Sequence, residues 1–546
     1  MASPDFSRVT DPVPPPAEPA RTHRAPAAPR RVRLTALAVG AAVAVLAYLF
    51  APAQSAPATG FAGDEALAAD VERLLGDRIV EVQGLSVARF DLEDPGSVEW
   101  AAARDADGGV PVDEHTPVET GSVFKVVTGM LLADMVERGE TSPDRTLAEI
   151  FPDAGFADPE VASITLRELA THHSGLGAVP DGDGLGVTLA SLSLTGPYER
   201  ATPPLEGLAG TRAGAKDQYV YSNLGFAVLG HALAAEAGTT YPDLARERVL
   251  DPLGMDDTVI AEEGTPEGAA PSHYEPGVRV APWSAADYAP AGVATWSTVS
   301  DLVALTSAVA DGSAPGADAA EIVSEDVSIG GAPSGDEPAG ETGAAGSLSM
   351  GLAWHRMDSP EHAPVTFHNG KVYGASSMVA FDGERAVVLL GNTMTLQETA
   401  LAMGLMDDER GEPLTTPPLT VPMSVLTAFL LVVPPLLLLA LVARRRTLVT
   451  QRPIDRLRVV SLTLGNLAWL AYLQRAGVWT ELPTGLFALS AGAVAAAVTV
   501  GVWHWRRVPV EAGRFRWLHV TVFVLSVLFS LGLVTLMTWG ITAAWS

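Results

Sequence analysis

The segment ETGSVFKVVTGMLLADMVERGE (119–140) places Ser122 and Lys125 three residues apart at the start of an apolar run with helical periodicity. The chain has only three lysines, and Lys125 is one that lies inside a hydrophobic stripe. Positions i and i+3 share one face of a helix, so the hydroxyl and the amine can approach each other. Serine needs a neighbour to take its proton, and apolar surroundings disfavour the charged form of lysine. The pair predicts a nucleophile with its base; a helix-start serine followed by a surface lysine is the alternative.

Two later stretches also bring polar groups close together. Tyr221 and Asn223 lie two apart, directly before a helix of small residues, so that a phenol and an amide can face one pocket. His368, Gly370 and Lys371 follow one another near a predicted strand edge. The glycine would let a substrate backbone approach, and the amide of Lys371 could donate to an oxyanion. Taken singly, each stretch fits an ordinary turn better than a catalytic site: a helix-capping turn at 221–223 and a hairpin turn at 368–371.

Taken in order, Ser-x-x-Lys, Tyr-x-Asn and His-x-Gly resemble the serine beta-lactamase and penicillin-binding-protein superfamily. The sequence is most similar to the class C-like, beta-lactamase-related serine hydrolases. Further segments agree with that pattern: ITLRELATHHSGLG (164–177), LDPLGMDDT (250–258), APAGVATWSTVSDL (289–302) and MGLAWH (350–355). The resemblance covers about residues 80–395.

The resemblance implies a role for each residue of the first two motifs. Ser122 would be the acylated nucleophile and Lys125 its hydrogen-bonded partner. Tyr221 would carry protons between the nucleophile and the leaving group, and Asn223 would bind the substrate amide. The resemblance implies no metal and no organic cofactor.

The third motif departs from the family pattern. His368 and Gly370 stand where many penicillin-recognising relatives have Lys-Thr-Gly, whose lysine helps to bind a substrate carboxylate. A histidine there is common in relatives that act as esterases, amidases or D-amino-acid peptidases. Whether Lys371 could replace the missing lysine is left open. His172 and His173 fall in a structural turn of the family and are not expected to be catalytic.

The predicted fold class is α/β (α+β). Strand patterns at 82–92, 98–104, 374–383 and 385–392 enclose a helical region, which suggests one sheet built from both ends of a domain. The resemblance adds that this antiparallel sheet is flanked by helices and accompanied by a helical subdomain. The active site is expected between the two parts.

Five apolar segments are candidates for membrane spans: 34–50, 423–442, 459–473, 484–503 and 517–539. Arginines cluster before the first span and in the first and third loops between the last four, as the positive-inside rule predicts for an alternating path. We therefore expect a multi-pass cell-membrane protein whose catalytic domain lies outside. The first segment fits an uncleaved anchor or a secretory signal, and both would export the domain that comes after it.

The predicted organisation is based on these segments. Residues 1–33 form a disordered cytoplasmic tail, 51–64 and 406–422 are linkers, and 65–405 is the hydrolase domain. Within that domain 311–349 is expected to be a mobile acidic insertion. Residues 423–546 form an all-α transmembrane region of four helices.

Composition excludes several classes of function. The chain has no cysteine, which rules out disulfides, thiol nucleophiles and cysteine-ligated metals. Its net charge is -29, and 54–442 holds 18 basic against 58 acidic residues. Such a surface would repel nucleic acid. The expected partners are a small-molecule or peptide substrate and the lipid bilayer.

The sequence thus predicts a membrane-anchored extracytoplasmic serine hydrolase that works through an acyl-enzyme. Ester, amide, D-aminoacyl peptide and beta-lactam substrates all fit. The alternative is a membrane sensor, non-catalytic or acylated once, that binds a cell-wall ligand. A further alternative is that the helices form a lipid-embedded module supplying a lipid-linked substrate.

Overall fold

The computed structural model describes residues 28–52, 60–94, 96–103, 112–216, 218–261, 264–324, 347–358, 363–406, 411–443, 455–508, 510 and 515–545. These residues form a globular domain (60–406) and a helical bundle made of one helix before that domain and four after it. The helices are α1 Arg30–Leu49, α2 Glu65–Leu75, α3 Lys125–Glu137, α4 Leu147–Ile150, α5 Pro159–Ala162, α6 Leu166–Ala170, α7 Gly184–Ser193, α8 Pro204–Leu208, α9 Asn223–Ala237, α10 Tyr241–Ala245, α11 Asp251–Leu253, α12 Val299–Ala310, α13 Glu398–Met406, α14 Thr420–Val442, α15 Arg456–Ala476, α16 Gly485–His504 and α17 Arg516–Ala543.

A large antiparallel sheet organises the globular domain. The strands are β1 Phe61–Gly63, β2 Leu85–Asp91, β3 Glu99–Ala103, β4 Val118–Glu119, β5 Val259–Ile260, β6 His273–Glu275, β7 Val278–Arg279, β8 Thr295–Ser297, β9 Ser347–Met350, β10 His355–Asp358, β11 Val365–Val372, β12 Ala375–Phe381 and β13 Arg385–Gly391. The large sheet has the order β1-β3-β2-β13-β12-β11-β10-β9. Strand β2 pairs with β13, so the two ends of the domain meet in the sheet as predicted.

Helices cover both faces of this sheet. In β13, Val388 and Leu390 join the core that contains α3, α9 and α12, whereas Val387 and Leu389 join the core that contains α2 and α13. Side chains alternate between the faces of a strand, so a continuous apolar run such as AVVLL suits a sheet buried on both sides. The predicted α/β (α+β) fold, an antiparallel sheet flanked by helices, is confirmed.

Three details differ from the predicted organisation. Strand β1 lies inside the predicted linker 51–64 and pairs with β3 at the sheet edge. Residues 311–324 and 347–349 are ordered, because Ala317–Ala320 form a short 3-10 helix and Ser324 bridges to Met350 of β9. The predicted insertion 311–349 thus includes described structure at both ends, and its remainder, 325–346, lies outside the described residues. The predicted tail 1–33 likewise lies outside them as far as residue 27.

The bundle contains α1 as well as the four C-terminal helices. An added Cβ on Gly40 of α1 would lie 2.8 Å from the carbonyl oxygen of Gly492 in α16, and 3.1 Å from the Cβ of Ala496. An added Cβ on Gly492 would lie 2.9 Å from the Cβ of Ala44. Both helices thus carry a Gly-x-x-x-Ala pattern at their contact. Small residues in this spacing let two helix backbones approach closely.

Among the described residues, four helices are long and apolar enough to cross a membrane: Arg30–Leu49, Thr420–Val442, Gly485–Arg507 and Arg516–Ala543. Helix α15, which contains the predicted span 459–473, is not among them. It is 21 residues long, carries arginine at both ends and packs against α14, α16 and α17. Helix α15 is therefore less apolar than α14, α16 and α17, and these three helices cover much of its surface.

The bundle contacts the globular domain at one end. Glu275 of β6 accepts a hydrogen bond from the backbone N–H of Trp479 at 2.9 Å, in the loop between α15 and α16. Arg78 forms an ion pair with Glu481 of the same loop at 2.7 Å. The arginines at the starts of α1, α15 and α17 lie at the opposite ends of these helices. The end of the bundle next to the globular domain and its arginine-rich end are thus separate.

Candidate active site

The predicted nucleophile and base are in contact at the centre of the globular domain. Ser122 lies in the 3-10 turn Gly121–Phe124, and Lys125 is the first residue of α3. Lys125 is completely buried, and its Nζ donates to Ser122 Oγ at 2.8 Å and to the carbonyl oxygen of Ala291 at 2.7 Å. Two acceptors thus fix the amine next to the serine hydroxyl. The turn before α3 orients the pair, which the sequence had placed on a regular helix.

Tyr221 reaches the same serine from a distant part of the chain. Its hydroxyl donates to Ser122 Oγ at 2.7 Å, and Lys125 Nζ lies 4.8 Å from the centre of its ring. The tyrosine precedes α9, whose start is capped because Ser222 Oγ accepts from the backbone N–H of Gly225 at 2.8 Å. The cap fixes the backbone next to Tyr221. Ser122, Lys125 and Tyr221 therefore form one hydrogen-bonded cluster.

The ring of His172 packs against the ring of Tyr221. It is fully buried, its φ is 60°, and its Nδ1 accepts from the backbone N–H of Ser222 at 3.0 Å. Its ring lies 4.3 Å from that of Tyr221. Burial holds the pKa of His172 well below its ordinary range. A neutral His172 ring is thus held against Tyr221 by its own hydrogen bond to the backbone.

Backbone amide groups adjoin the serine on its sheet side. A Cβ on Gly370 would lie 2.8 Å from the backbone nitrogen of Ser122, and a Cβ on Gly121 would lie 3.2 Å from that of Lys371. Strand β11 thus runs directly against the serine turn, and only glycine fits at the contact. The backbone nitrogens of Ser122 and Lys371 thus lie close together at this contact.

His368 is buried inside β11 rather than in a turn. Its Nδ1 lies 2.6 Å from the carbonyl oxygen of Ala353, which can only accept, so Nδ1 carries the proton. Burial holds the pKa of His368 well below its ordinary range. The ring is neutral, with its lone pair on Nε2. A neutral ring cannot balance a substrate carboxylate as a lysine would.

Lys371 points to the other face of the same strand. Its Nζ forms an ion pair with Glu398 of α13 at 3.0 Å, and Asn369 Nδ2 donates to the same carboxylate at 3.1 Å. Glu398 is almost completely buried. Alternation along β11 places positions 369 and 371 opposite to 368 and 370. The side chain of Lys371 therefore joins the sheet to α13, and only its backbone faces Ser122.

Asn223 borders an aromatic group of residues beside the serine. It is the first residue of α9, and its Nδ2 donates to the hydroxyl of Tyr198. Its Oδ1 is buried without a hydrogen-bond partner among the described residues. Tyr198 packs against Trp283, with ring centres 5.4 Å apart, and Trp283 packs against Tyr373 at 5.2 Å. This arrangement gives the pocket an apolar wall with an amide acceptor at its edge.

Known proteins match the globular domain that carries this site. The sequence profile of the Beta-lactamase family matches residues 71–404, more than half of the chain. The chain belongs to the beta-lactamase family.

Two relatives have curated functions. Penicillin-binding protein 4 of Amycolatopsis lactamdurans is 28% identical over 170 residues, which are 30% of this chain and 42% of that protein. The D-alanyl-D-alanine-carboxypeptidase/endopeptidase AmpH of Escherichia coli (strain K12) is 31% identical over 142 residues, 26% of this chain and 36% of that protein. The match thus spans less than half the length of either relative.

Two solved structures match part of the chain at low sequence identity. A D-stereospecific amidohydrolase from Streptomyces sp. superimposes with a TM-score of 0.48 at 17% identity, over 61% of this chain and 97% of that one. A class C beta-lactamase from Rhodobacter sphaeroides gives a TM-score of 0.47 at 19% identity, over 62% of this chain and 97% of that one. The family profile covers neither α1 nor the four C-terminal helices, which all lie outside residues 71–404.

Sequence reasoning missed the aromatic wall of this beta-lactamase-family site. Tyr198, Trp283 and Tyr373 come from three loops that share no spacing, and only their packing reveals them. The tyrosine two residues after Lys371 was the one available signal. Within the described residues, no group of three or more histidines and carboxylates is placed to hold a metal ion.

Proposed function

We propose that the chain is a membrane-bound serine hydrolase that acylates Ser122 and acts on the outer side of the membrane. The observation that carries this proposal is the position of Ser122 Oγ, which receives hydrogen bonds from both Lys125 Nζ and Tyr221 OH, at 2.8 and 2.7 Å. Membership of the beta-lactamase family supports hydrolase chemistry. A helix-start serine with a surface lysine would have neither the burial nor the second partner.

The cluster accounts for each proton in the reaction. Ser122 Oγ attacks the substrate carbonyl carbon while its proton passes to the lone pair of Lys125, which enters this step as the neutral amine that its apolar surroundings favour. The oxyanion that forms accepts from the backbone N–H groups of Ser122 and Lys371. Tyr221 relays a proton to the leaving group as the bond to carbon breaks, which leaves an acyl-enzyme. Water, deprotonated by the same cluster, then attacks the ester, and Ser122 regains its proton.

The charges around the site favour substrates without a carboxylate at the position where penicillin carries one. His368 is neutral, and the ammonium of Lys371 is paired with Glu398 on the far face of β11. A carboxylate bound beside β11 would lose its hydration without gaining a counter-charge from either residue. We therefore propose an ester or amide substrate, D-aminoacyl compounds included, in preference to beta-lactams. The aromatic wall of Tyr198 and Trp283 would receive its acyl side.

Labelling of membranes that contain the full-length protein tests the chemistry. We expect a fluorescent fluorophosphonate to label the protein strongly and a fluorescent penicillin to label it weakly. Ser122→Ala should abolish both signals. Ser163→Ala, a change at an exposed serine, is the matched control and should alter neither. Strong penicillin labelling would contradict the proposed substrate class while leaving the hydrolase proposal intact.

The membrane sensor remains the alternative, and the same experiment decides between the two. Folded protein that shows no Ser122-dependent labelling by either probe would refute the hydrolase proposal and favour the sensor. Stable labelling by penicillin, without turnover of any ester or amide, would favour a sensor that is acylated once.

The proposed orientation rests on the two ends of the bundle. Arginines occupy the ends away from the globular domain, and the positive-inside rule places such ends in the cytoplasm. Because the chain has no cysteine, a single Glu137→Cys variant carries one reactive thiol on the surface of the globular domain. We expect a membrane-impermeant maleimide to modify it in intact cells. Modification only after the cells are lysed would reverse the orientation.

A further inference from the structure

Helix α7 of the globular domain has an uncharged, exposed apolar face. Its sequence is GLGVTLASLS, and Leu185, Thr188 and Leu192 lie on one side of it because they are three and four residues apart. Leu185 is 73% exposed and Leu192 is 43% exposed. Leu205 of the next helix, α8, is 40% exposed. Large apolar side chains grouped in this way on a globular domain mark a surface that contacts something else.

The end of α7 lies against the bundle. A Cβ on Gly540 of α17 would overlap the carbonyl oxygen of Ser193, the last residue of α7. Arg475, at the end of α15, donates to the carbonyl oxygen of Leu194 at 3.4 Å. Gly540 is three residues before the end of α17, about 5 Å along a helix that rises 1.5 Å per residue. Helix α7 therefore lies at the level where the span of α17 ends.

Aromatic and basic side chains lie beside this end of α17. The guanidinium of Arg200 lies 4.2 Å from the ring centre of Trp539, and that of Arg279 lies 5.0 Å from that of Trp545. Tryptophan concentrates where lipid headgroups meet acyl chains. On the side of α17 that carries Gly540, towards the other end of the helix, Phe529 is 62% and Leu525 is 60% exposed, as expected of a lipid-facing surface. The exposed face of α7 continues that surface at its outer end.

We propose that α7 is an interfacial helix, with Leu185 and Leu192 inserted among the acyl chains of the outer lipid layer beside α17. Lipid fits this face better than a protein partner, because the face is continuous with the apolar surface of a helix long enough to span the membrane. The lack of charge on α7 agrees with insertion at this depth. The leucines would then be buried by the same membrane that holds the bundle.

Insertion of α7 would hold the active site at the membrane surface. Asp183, just before α7, accepts from the backbone N–H of Thr202 at 2.6 Å, which closes residues 183–202 into one hairpin. This hairpin also carries Tyr198, whose hydroxyl accepts from Asn223 in the pocket. One end of the hairpin thus meets lipid and the other lines the site. This inference about the substrate rests on the proposed function. The substrates would be amphiphilic, with a reactive ester or amide at the membrane surface and an apolar part in the bilayer.

Fluorescence quenching in the full-length protein tests the insertion of α7. Leu192→Cys provides a single thiol for an environment-sensitive nitrobenzoxadiazole label, and the labelled protein is placed in phosphatidylcholine vesicles containing lipids with a nitroxide on the acyl chain. We expect a blue shift and loss of fluorescence at position 192, with no change for a label on Glu137→Cys. Unquenched fluorescence at 192, or equal quenching at 137, would overturn the proposal.

A second measurement tests the substrate class. Leu192→Asp should slow the hydrolysis of 4-nitrophenyl palmitate carried in vesicles while leaving that of water-soluble 4-nitrophenyl acetate unchanged. An equal change in both rates would contradict delivery from the bilayer. The quenching experiment involves no catalytic step, so a failure of the hydrolase proposal, seen as no turnover of either ester, is distinguishable from a failure of the lipid contact.

Discussion

Replacing Glu275 by glutamine removes one titrating group from the contact between the globular domain and the bundle. The carboxylate is almost completely buried and accepts from the backbone N–H of Trp479 at 2.9 Å. Burial raises the pKa of Glu275 from its ordinary 4.5 to about 8, and the nearby charges of Glu81 and Glu481 add to the rise. Hydrogen bonds from the backbone of Trp479 and Thr480 oppose it without cancelling it.

The free energy of docking between the globular domain and the bundle changes with pH, because Glu275 has a different pKa in the docked and undocked states. Below pH 4.5 the Glu275 carboxyl is protonated in both states, and its contribution to docking is fully present. As the pH rises, the undocked carboxyl ionises first, so docking loses about 1.4 kcal/mol for each unit of pH until the docked group also ionises. A pKa rise from 4.5 to about 8 gives a total of about 5 kcal/mol as an upper limit. Glutamine keeps an acceptor oxygen and does not titrate.

The assay is the unfolding midpoint of the full-length protein in detergent, measured from pH 5 to pH 9 by tryptophan fluorescence. Relative to the wild type, Glu275→Gln should become progressively more stable as the pH rises. Glu384→Gln, at an exposed turn, should follow the wild type at every pH. A difference between the wild type and Glu275→Gln that stays constant across the range would refute the argument, because it would mean that Glu275 titrates alike in both states.

Three further predictions concern the site and the bundle. Lys125→Ala should slow fluorophosphonate acylation about 100-fold or more by removing the base, whereas the surface change Lys216→Ala should not; equal rates would exclude Lys125 as base. Lys371→Ala should lower the free energy of unfolding by about 3–5 kcal/mol in thermal or denaturant unfolding, because it leaves a buried carboxylate unpaired. Gly40→Cys with Ala496→Cys should cross-link on oxidation in membranes, and neither single variant should; no cross-link would mean that α1 is removed or lies elsewhere.

The sequence predicted the local parts of the site better than their surroundings. Ser122 and Lys125 are three residues apart, and a single turn brings them together whatever the rest of the chain does. Tyr221 could be named because the resemblance supplied a contact across about a hundred residues. The resemblance supplied no contact for the side chain of Lys371, so its ion pair with Glu398 was not predicted. Alternation along β11 could have shown that positions 370 and 371 face opposite sides, but only the fold reveals the carboxylate on α13.

Contacts between distant segments were also missing from the prediction of the helical bundle. Apolar length identified the helices, and arginine spacing predicted their direction. The positions of α1 beside α16 and of α15 among its neighbours depend on contacts between distant segments, which one sequence does not report. The contact of α7 with α17 was missed because α7 is too short to be read as a membrane segment. Its uncharged sequence was the available signal.

Gly40 and Gly492 meet across about 450 residues of chain. At roughly 5–20 residues per second, synthesis of the intervening segment takes on the order of 20–90 s. In the proposed topology, α1 would spend that time in the membrane without its partner, with a glycine face exposed to lipid, while the globular domain is synthesised. A chain that stops before α16 would keep that face uncovered. Pairing of the first helix with one of the last thus gives the cell a means of distinguishing finished chains from unfinished ones.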